Sequence, residues 1–67
     1  MKFIREKDND WHNPKEELPP TTTDIEFIDL LNNICNGEIV VDMSGFYLYI
    51  KGKGWDSMDN IKQWRFV

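Results

Sequence analysis

The chain has a single cysteine, Cys35, and a single histidine, His12, among its 67 residues. It therefore cannot form an internal disulfide, and it lacks the four ligands that a structural zinc site needs. Chains of this size often depend on such a staple or on oligomerisation, because one small core is only marginally stable. The composition, with 40% hydrophobic and 13% aromatic residues, is too apolar for a disordered chain. A fold stabilised by dense apolar packing, by a homo-oligomer, or by both is therefore expected, with no metal and no cofactor.

Residues 23–36 show the pattern of an amphipathic helix. Thr23 and Glu26 have the spacing of a capping box, and Gly37 is suited to end the helix. The apolar side of this helix would contain Phe27, Ile28, Leu30, Leu31, Ile34 and Cys35. Cys35 would then be a small buried hydrophobe.

The segment that follows, residues 38–51, predicts a β-hairpin with Ser44 and Gly45 as its two-residue turn. This turn places Met43 opposite Phe46 and gives the hairpin one apolar face, which is expected to pack on the helix.

The remaining segments predict two strands and a loop. Residues 1–6 are a candidate strand, residues 7–22 hold all three prolines and predict a loop, and residues 61–67 predict a closing strand. Trp11 is expected to anchor the loop to the core. Together these features predict one α+β domain, in which one amphipathic helix packs on a small three- to four-stranded, mainly antiparallel sheet.

Acidic residues are concentrated in the middle of the chain. Seven of the 12 acidic residues lie between Glu16 and Ile50, where there is no Lys or Arg. They are Glu16, Glu17, Asp24, Glu26, Asp29, Glu38 and Asp42. Negative charge near the start of a helix is favourable, which would explain only Asp24 and Glu26. We therefore hypothesise that these carboxylates form a surface for the basic surface of a protein partner. Ordinary acidic solubility is the alternative interpretation.

A second candidate site is an aromatic sheet face. Its members would be Tyr47, Tyr49, Trp64 and Phe66. Aromatic side chains near lysines are typical of a stacking platform for single-stranded nucleic acid. The net charge of -4 disfavours nucleic acid as a partner. Burial under the N-terminal segment, or a homodimer contact, are the alternatives for this face.

No group of side chains in the sequence indicates an enzyme. His12 lies in the predicted loop without a Ser or Cys at a catalytic spacing, so it is expected to be exposed to solvent. Charged residues follow Met1 directly, and no apolar run reaches the ~20 residues of a membrane span. These features, with a single free cysteine, favour a cytoplasmic protein without membrane contact.

Several short motifs resemble a known group of proteins. Trp11 is followed by ELPP, the glycine turn DMSG, the aromatic strand FYLYI, then GKGW and IKQW. This order resembles that of short uncharacterised phage and prophage proteins, whose pattern is a Trp, an L-P, a glycine turn, an aromatic strand, G-x-W and a final W-x-P. The chain departs from the pattern in its predicted helix and in its WRFV end, which lacks the proline. The resemblance implies a phage-type origin, in the cytoplasm of an infected or lysogenic host, rather than a particular activity.

Three functions follow as hypotheses. Grooves that bind nucleic acid are lined with Lys and Arg, which neutralise phosphates. A small acidic protein suits such a groove, so the leading hypothesis is a stoichiometric inhibitor of a host nucleic-acid-binding defence protein, of the anti-CRISPR kind. The alternatives are a binder of single-stranded nucleic acid and a structural or assembly accessory protein of a phage.

Overall fold

Seven strands and one 3-10 turn form the regular structure of residues 2–67, which are the residues that the computed structural model describes. The strands are β1 (Lys2–Phe3), β2 (Glu17–Leu18), β3 (Asp24–Asp29), β4 (Ile34–Asp42), β5 (Gly45–Ile50), β6 (Gly54–Asp56) and β7 (Ile61–Phe66). β3 to β7 form an antiparallel sheet in the order β6-β5-β4-β3-β7, and β1 pairs with β2 in parallel. The protein is therefore a small, mostly β domain.

The predicted α+β fold is wrong, because the amphipathic helix over residues 23–36 is absent. Within the described chain the only helical element is the three-residue 3-10 turn Met58–Asn60. β3 and the start of β4 occupy the predicted helix and pair with each other. Buried Ile25 and Phe27 alternate with more exposed neighbours, which is the two-residue period of a strand. Tertiary pairing favours this period over the helical spacing that the same residues also satisfy.

The turn between β3 and β4, residues 30–33, replaces the middle of the predicted helix. Asn32 has a φ of 64°, a left-handed conformation that asparagine tolerates better than most residues. The Asp29 carboxylate accepts the backbone N–H groups of Leu31 and Asn33, both at 2.9 Å. Asp and Asn side chains compete with helical hydrogen bonding in this way, so these residues favour a turn.

Gly37 lies inside β4 rather than at the end of a helix. It pairs with Ile25 of β3 on one side and with Ile50 of β5 on the other. A methyl group on Gly37 would meet the carbonyl oxygen of Tyr49 and lie 3.2 Å from Cε1 of Phe27. A glycine is required here because the neighbouring strand and the Phe27 ring already fill the space of a side chain.

β4 and β5 form a hairpin, but its register differs by two residues from the predicted one. Met43 and Ser44 make the turn, and Asp42 pairs with Gly45. A shift of two residues leaves the side chains of the paired residues on their predicted faces, because side chains alternate with a period of two. Met43, which was expected to pair with Phe46, instead lies in the turn and is exposed. Gly45, with a φ of 129°, lies just after the turn rather than within it.

The core lies on one face of the five-stranded sheet. It consists of Leu18, Ile25, Phe27, Ile39, Leu48, Ile61, Trp64 and Phe66. Residues 2–22 contribute Leu18 to it and are tied to the sheet by hydrogen bonds from the Thr22 N–H to the Ile39 carbonyl and from the Trp64 indole to the Glu17 carbonyl, each 2.8 Å long. Cys35 packs against this core from β4 and is only partly buried.

The segments outside the predicted helix and hairpin have short strands. The candidate strand over residues 1–6 contains β1, and Met1 lies outside the described residues. The predicted loop, residues 7–22, contains β2 and one backbone bridge to β7. β7 coincides with the predicted closing strand but pairs with β3, and a bulge at Ile28 and Asp29 interrupts their register. The sheet thus has five strands rather than three or four.

Candidate binding site on the outer sheet face

The face of the sheet opposite the core, which we call the outer face, carries both acidic and aromatic side chains. Strand alternation and the pairing register assign to it Asp24, Glu26, Glu38, Val40, Asp42, Tyr47, Tyr49, Trp55 and Arg65. The acidic surface and the aromatic face, which the sequence suggested as separate sites, therefore overlap on one side of the molecule.

Two of the predicted acidic residues form ion pairs with cations from the C-terminal part of the chain. Asp24 Oδ1 lies 3.3 Å from Lys51 Nζ, and Glu26 Oε1 accepts a hydrogen bond from Arg65 Nη2 at 3.3 Å. Such exposed pairs contribute little to stability, but they reduce the net charge that a partner meets. The lack of Lys and Arg in the middle of the sequence is thus partly compensated in space.

Two other acidic residues organise turns. Asp29 is the acceptor at the β3–β4 turn, and Asp42 Oδ1 accepts the Ser44 N–H at 2.7 Å in the β4–β5 turn. The backbone hydrogen bond from Asn33 is the largest influence on the Asp29 carboxyl, and with the bond from Leu31 it outweighs desolvation and lowers the pKa of Asp29. Asp29 therefore has a structural role, although it was expected to contact a partner.

The last three acidic residues lie in different surroundings. Glu38 is on the outer face, in register between Asp24 and Tyr49. Glu16 is exposed in the N-terminal segment and is not part of the five-stranded sheet, and Glu17 is the first residue of β2. The seven carboxylates therefore do not form one continuous surface.

The predicted aromatic face is divided between the two sides of the sheet. Tyr47 and Tyr49 lie on the outer face, whereas Trp64 and Phe66 are core residues with 0% and 7% of their surface exposed. β7 is responsible for this, because it sets Trp64 opposite Phe27 in β3 and on the core side. Trp64 and Phe66 cannot stack on a ligand.

Trp55 takes the place of the two buried rings and was not among the predicted site residues. It is 65% exposed, and its ring lies 5.2 Å from that of Tyr49 in an edge-to-face arrangement. β6 pairs with β5 and sets Trp55 directly opposite Tyr49. The glycines of GKGW, followed by a large aromatic residue, were the sequence signal for a second hairpin that would have identified it.

A shallow cleft lies beside this aromatic pair. Asp42, Tyr47 and Trp55 line a space of about 260 Å³. A neighbouring space of about 320 Å³ is shared by Tyr47 and Trp55 with Phe46, Asp56 and Ser57. The outer face thus offers exposed aromatic surface, one adjacent carboxylate and a concave region, a combination suited to a cationic or polar-aromatic contact.

An internal contact of the same kind lies at the opposite edge of the sheet. The Arg65 guanidinium carbon is 4.5 Å from the centre of the Trp11 ring, while the same guanidinium donates to Glu26. Trp11 is half-buried under this cation and lies at the edge of the outer face, outside the core cluster to which it was expected to anchor the loop. A cation, an aromatic ring and a carboxylate therefore already associate once within this protein.

His12 is buried, with 6% of its surface exposed, so the expected exposed position is wrong. Its ring lies 4.6 Å from the Trp64 ring, with Nε2 2.9 Å from Asp8 Oδ1 and Nδ1 3.3 Å from Glu17 Oε1. Desolvation is the largest influence and opposes protonation, but the hydrogen bonds to the two carboxylates outweigh it and raise the pKa of His12. Two acceptors facing both ring nitrogens favour the doubly protonated imidazolium, which donates to both.

Within residues 2–67 no cluster of three or more His, Cys, Asp or Glu side chains is arranged to hold a metal ion. No helix in this part of the chain is long and apolar enough to cross a membrane. No protein-family model, curated protein or solved structure matches the chain.

Proposed function

We propose that the protein is a non-catalytic binding protein that docks a basic segment of a protein partner on its outer face. The observation that carries this proposal is the exposed Trp55, packed on Tyr49 beside the Asp42 carboxylate. Large aromatic side chains with exposed area are the usual anchors of protein interfaces. A solvent-exposed tryptophan costs hydrophobic free energy unless a partner covers it.

The sign of the partner's charge follows from the carboxylates that are left unpaired on this face. Glu38 and Asp42 have no ion pair with any described residue, whereas Asp24 and Glu26 do. A partner that brings Lys or Arg to Glu38 and Asp42 gains complementarity, and a partner with acidic groups is rejected. The predicted acidic site is thus narrowed to two carboxylates beside the aromatic residues.

Single-stranded nucleic acid is a poorer occupant of the outer face. Of the three aromatic residues on this face Trp55 is exposed, whereas Tyr47 and Tyr49 are half-buried, so little ring surface is open to base stacking. Lys51 and Arg65, the nearby cations, are already paired with carboxylates. Phosphates would also meet a chain of net charge -4.

A second copy of the chain is also less suitable, although a homodimer was expected from the chain's size. In a two-fold contact the same patch meets itself, which would bring Asp42 and Glu38 toward the equivalent carboxylates. Light scattering measures this directly, since a dimer would have twice the monomer mass of 8.0 kDa.

The narrower proposal is that the basic partner surface is a nucleic-acid-binding groove, so that the protein acts as a stoichiometric inhibitor of a host defence protein. Occupation of a groove that neutralises phosphates would make the inhibitor and the nucleic acid compete. The resemblance to phage proteins supports this proposal. The sequence was expected to depart from the phage pattern in two places, and one of them, the helix over residues 23–36, is absent from the structure. A structural or assembly accessory protein of a phage would instead bind its partner without competing with nucleic acid.

The test of the general proposal uses a peptide of alternating arginine and glycine and follows binding by isothermal titration calorimetry, which does not depend on Trp55 as a reporter. Binding should be lost in a Tyr47→Ala/Trp55→Ala variant and kept in Phe3→Ala, which removes an exposed aromatic residue outside the outer face. Equal binding by both variants would contradict the proposal. A single-stranded oligonucleotide that binds better than the peptide at physiological salt would favour the nucleic-acid alternative.

A further inference from the structure

The cleft formed by Asp42, Tyr47 and Trp55 has the chemistry of a cation site but no cation of its own. Two of its walls are aromatic, its third is a carboxylate, and its volume is about 260 Å³. Asp42 uses Oδ1 to accept the Ser44 N–H, and no ion pair joins it to any residue in the described part of the chain. Its other carboxylate oxygen therefore keeps its acceptor capacity.

At the far edge of the sheet, an aromatic ring and a carboxylate of the same kind are joined by a cation from this protein. There an arginine, Arg65, covers the Trp11 ring at 4.5 Å and donates to Glu26 at 3.3 Å. The cleft contains the aromatic and carboxylate members of that set, and the cationic member is missing.

We propose that this cleft binds the guanidinium group of an arginine side chain from the partner, an inference that rests on the proposed function. A guanidinium is planar and weakly hydrated, so it can cover an aromatic face while an edge N–H donates to Asp42. A lysine ammonium is compact and strongly hydrated, and it gains less from an open cleft. A methylated ammonium prefers aromatic rings on several sides, whereas this cleft has two aromatic residues.

The test uses N-acetyl-arginine methylamide as the probe and the indole N–H of Trp55 as the NMR reporter. The other two tryptophans are distinguishable, since Trp64 donates its indole N–H to Glu17 and Trp11 lies under Arg65. Arginine should shift the Trp55 signal in a saturable way. The citrulline analogue, which has the same shape without the charge, should bind on the order of tenfold more weakly.

The matched variants separate a specific contact from general attraction. In Asp42→Asn the side-chain oxygen can still accept the Ser44 N–H, so the turn is kept while the charge is lost. Arginine should bind this variant about fivefold more weakly. Glu6→Gln loses the same charge from the exposed N-terminal segment and should bind as the unmodified protein does.

Three outcomes would overturn the arginine site: equal binding of citrulline and arginine, equal affinities of Asp42→Asn and Glu6→Gln, or tighter binding of the trimethyl-lysine analogue than of arginine. The proposed function can be judged separately. If the arginine–glycine peptide still binds the outer face of Asp42→Asn without loss, the docking function stands and the arginine cleft fails. If the peptide does not bind the unmodified protein, the docking function itself fails.

Discussion

Gly37→Ala is the substitution that tests the close contact of β4 with β5 most directly. In the sheet, the new methyl group meets the Tyr49 carbonyl oxygen and crowds Cε1 of Phe27 at 3.2 Å. The carbonyl belongs to the backbone of β5 and cannot rotate away, so relief requires β4 and β5 to separate near the pairing of Gly37 with Ile50.

The expected cost follows from these contacts. Overpacking of a filled site costs about 1–3 kcal/mol, and a clash with backbone belongs at the upper end. Alanine offsets about 0.5–1 kcal/mol of this by restricting the unfolded chain. The net loss is about 2 kcal/mol, which is a large share of the roughly 3–10 kcal/mol expected for a domain of this size. It corresponds to a fall in Tm of roughly 8–16 °C.

Urea unfolding followed by circular dichroism measures this difference, with Asn36→Ala as the control. Asn36 is the exposed neighbour of Gly37 in β4, and its truncation should change the free energy of unfolding by less than about 0.5 kcal/mol. A Gly37→Ala variant as stable as Asn36→Ala would refute the close strand contact.

Three further predictions concern the N-terminal segment and the turns. The hydrogen bonds to Asp8 and Glu17 outweigh desolvation and raise the pKa of His12. The contribution of His12 to stability is therefore present below its unfolded pKa of about 6.5 and is lost as pH rises through the folded value. In unfolding measured across this pH range, His12→Gln should abolish this loss of stability. The pKa of Asp29 is lowered, so its contribution is lost as pH falls through the folded value, and thermal unfolding should show Asp29→Ala less stable than Asp29→Asn, which keeps the acceptor oxygen. Trp64→Phe should lose about 1–3 kcal/mol in denaturant unfolding, because it removes the indole hydrogen bond to Glu17 and leaves a void in the core.

The hairpin of β4 and β5 shows what the sequence can predict. The alternation of Ile39 and Leu48 with Val40 and Tyr47 specifies which side chains face the core, and it does so regardless of the turn. The register was wrong because the glycine was placed inside the turn. The structure instead places Gly45 just after it.

The segment over residues 23–36 shows what local patterns cannot decide. Its apolar residues satisfy both a helical and a strand period, and Thr23 with Glu26 imitates a helix start. The choice depends on β7, which pairs with β3 from the distant end of the chain. Long-range pairing of this kind leaves no signal in the segment itself, although the asparagines at its centre were evidence for a turn.

Only part of the candidate site could be predicted, because the rest also depends on long-range strand pairing. Tyr47, Tyr49, Glu38 and Asp42 were candidates, and the structure brings them together on the outer face. Trp64 was misplaced, because a strand without a known partner has no assigned face. Trp55 was overlooked because β6 is only three residues long.

The most direct test of the proposed docking face is NMR chemical-shift mapping of the isotope-labelled protein during titration with the arginine–glycine peptide. The backbone signals of Val40, Tyr47 and Tyr49, and the indole signal of Trp55, are expected to shift together and to saturate. Signals of the N-terminal segment, residues 2–22, such as those of Asn13 and Lys15, should stay in place. Saturable shifts that are confined to the N-terminal segment, or that are spread evenly over the surface, would contradict the outer face as the binding site.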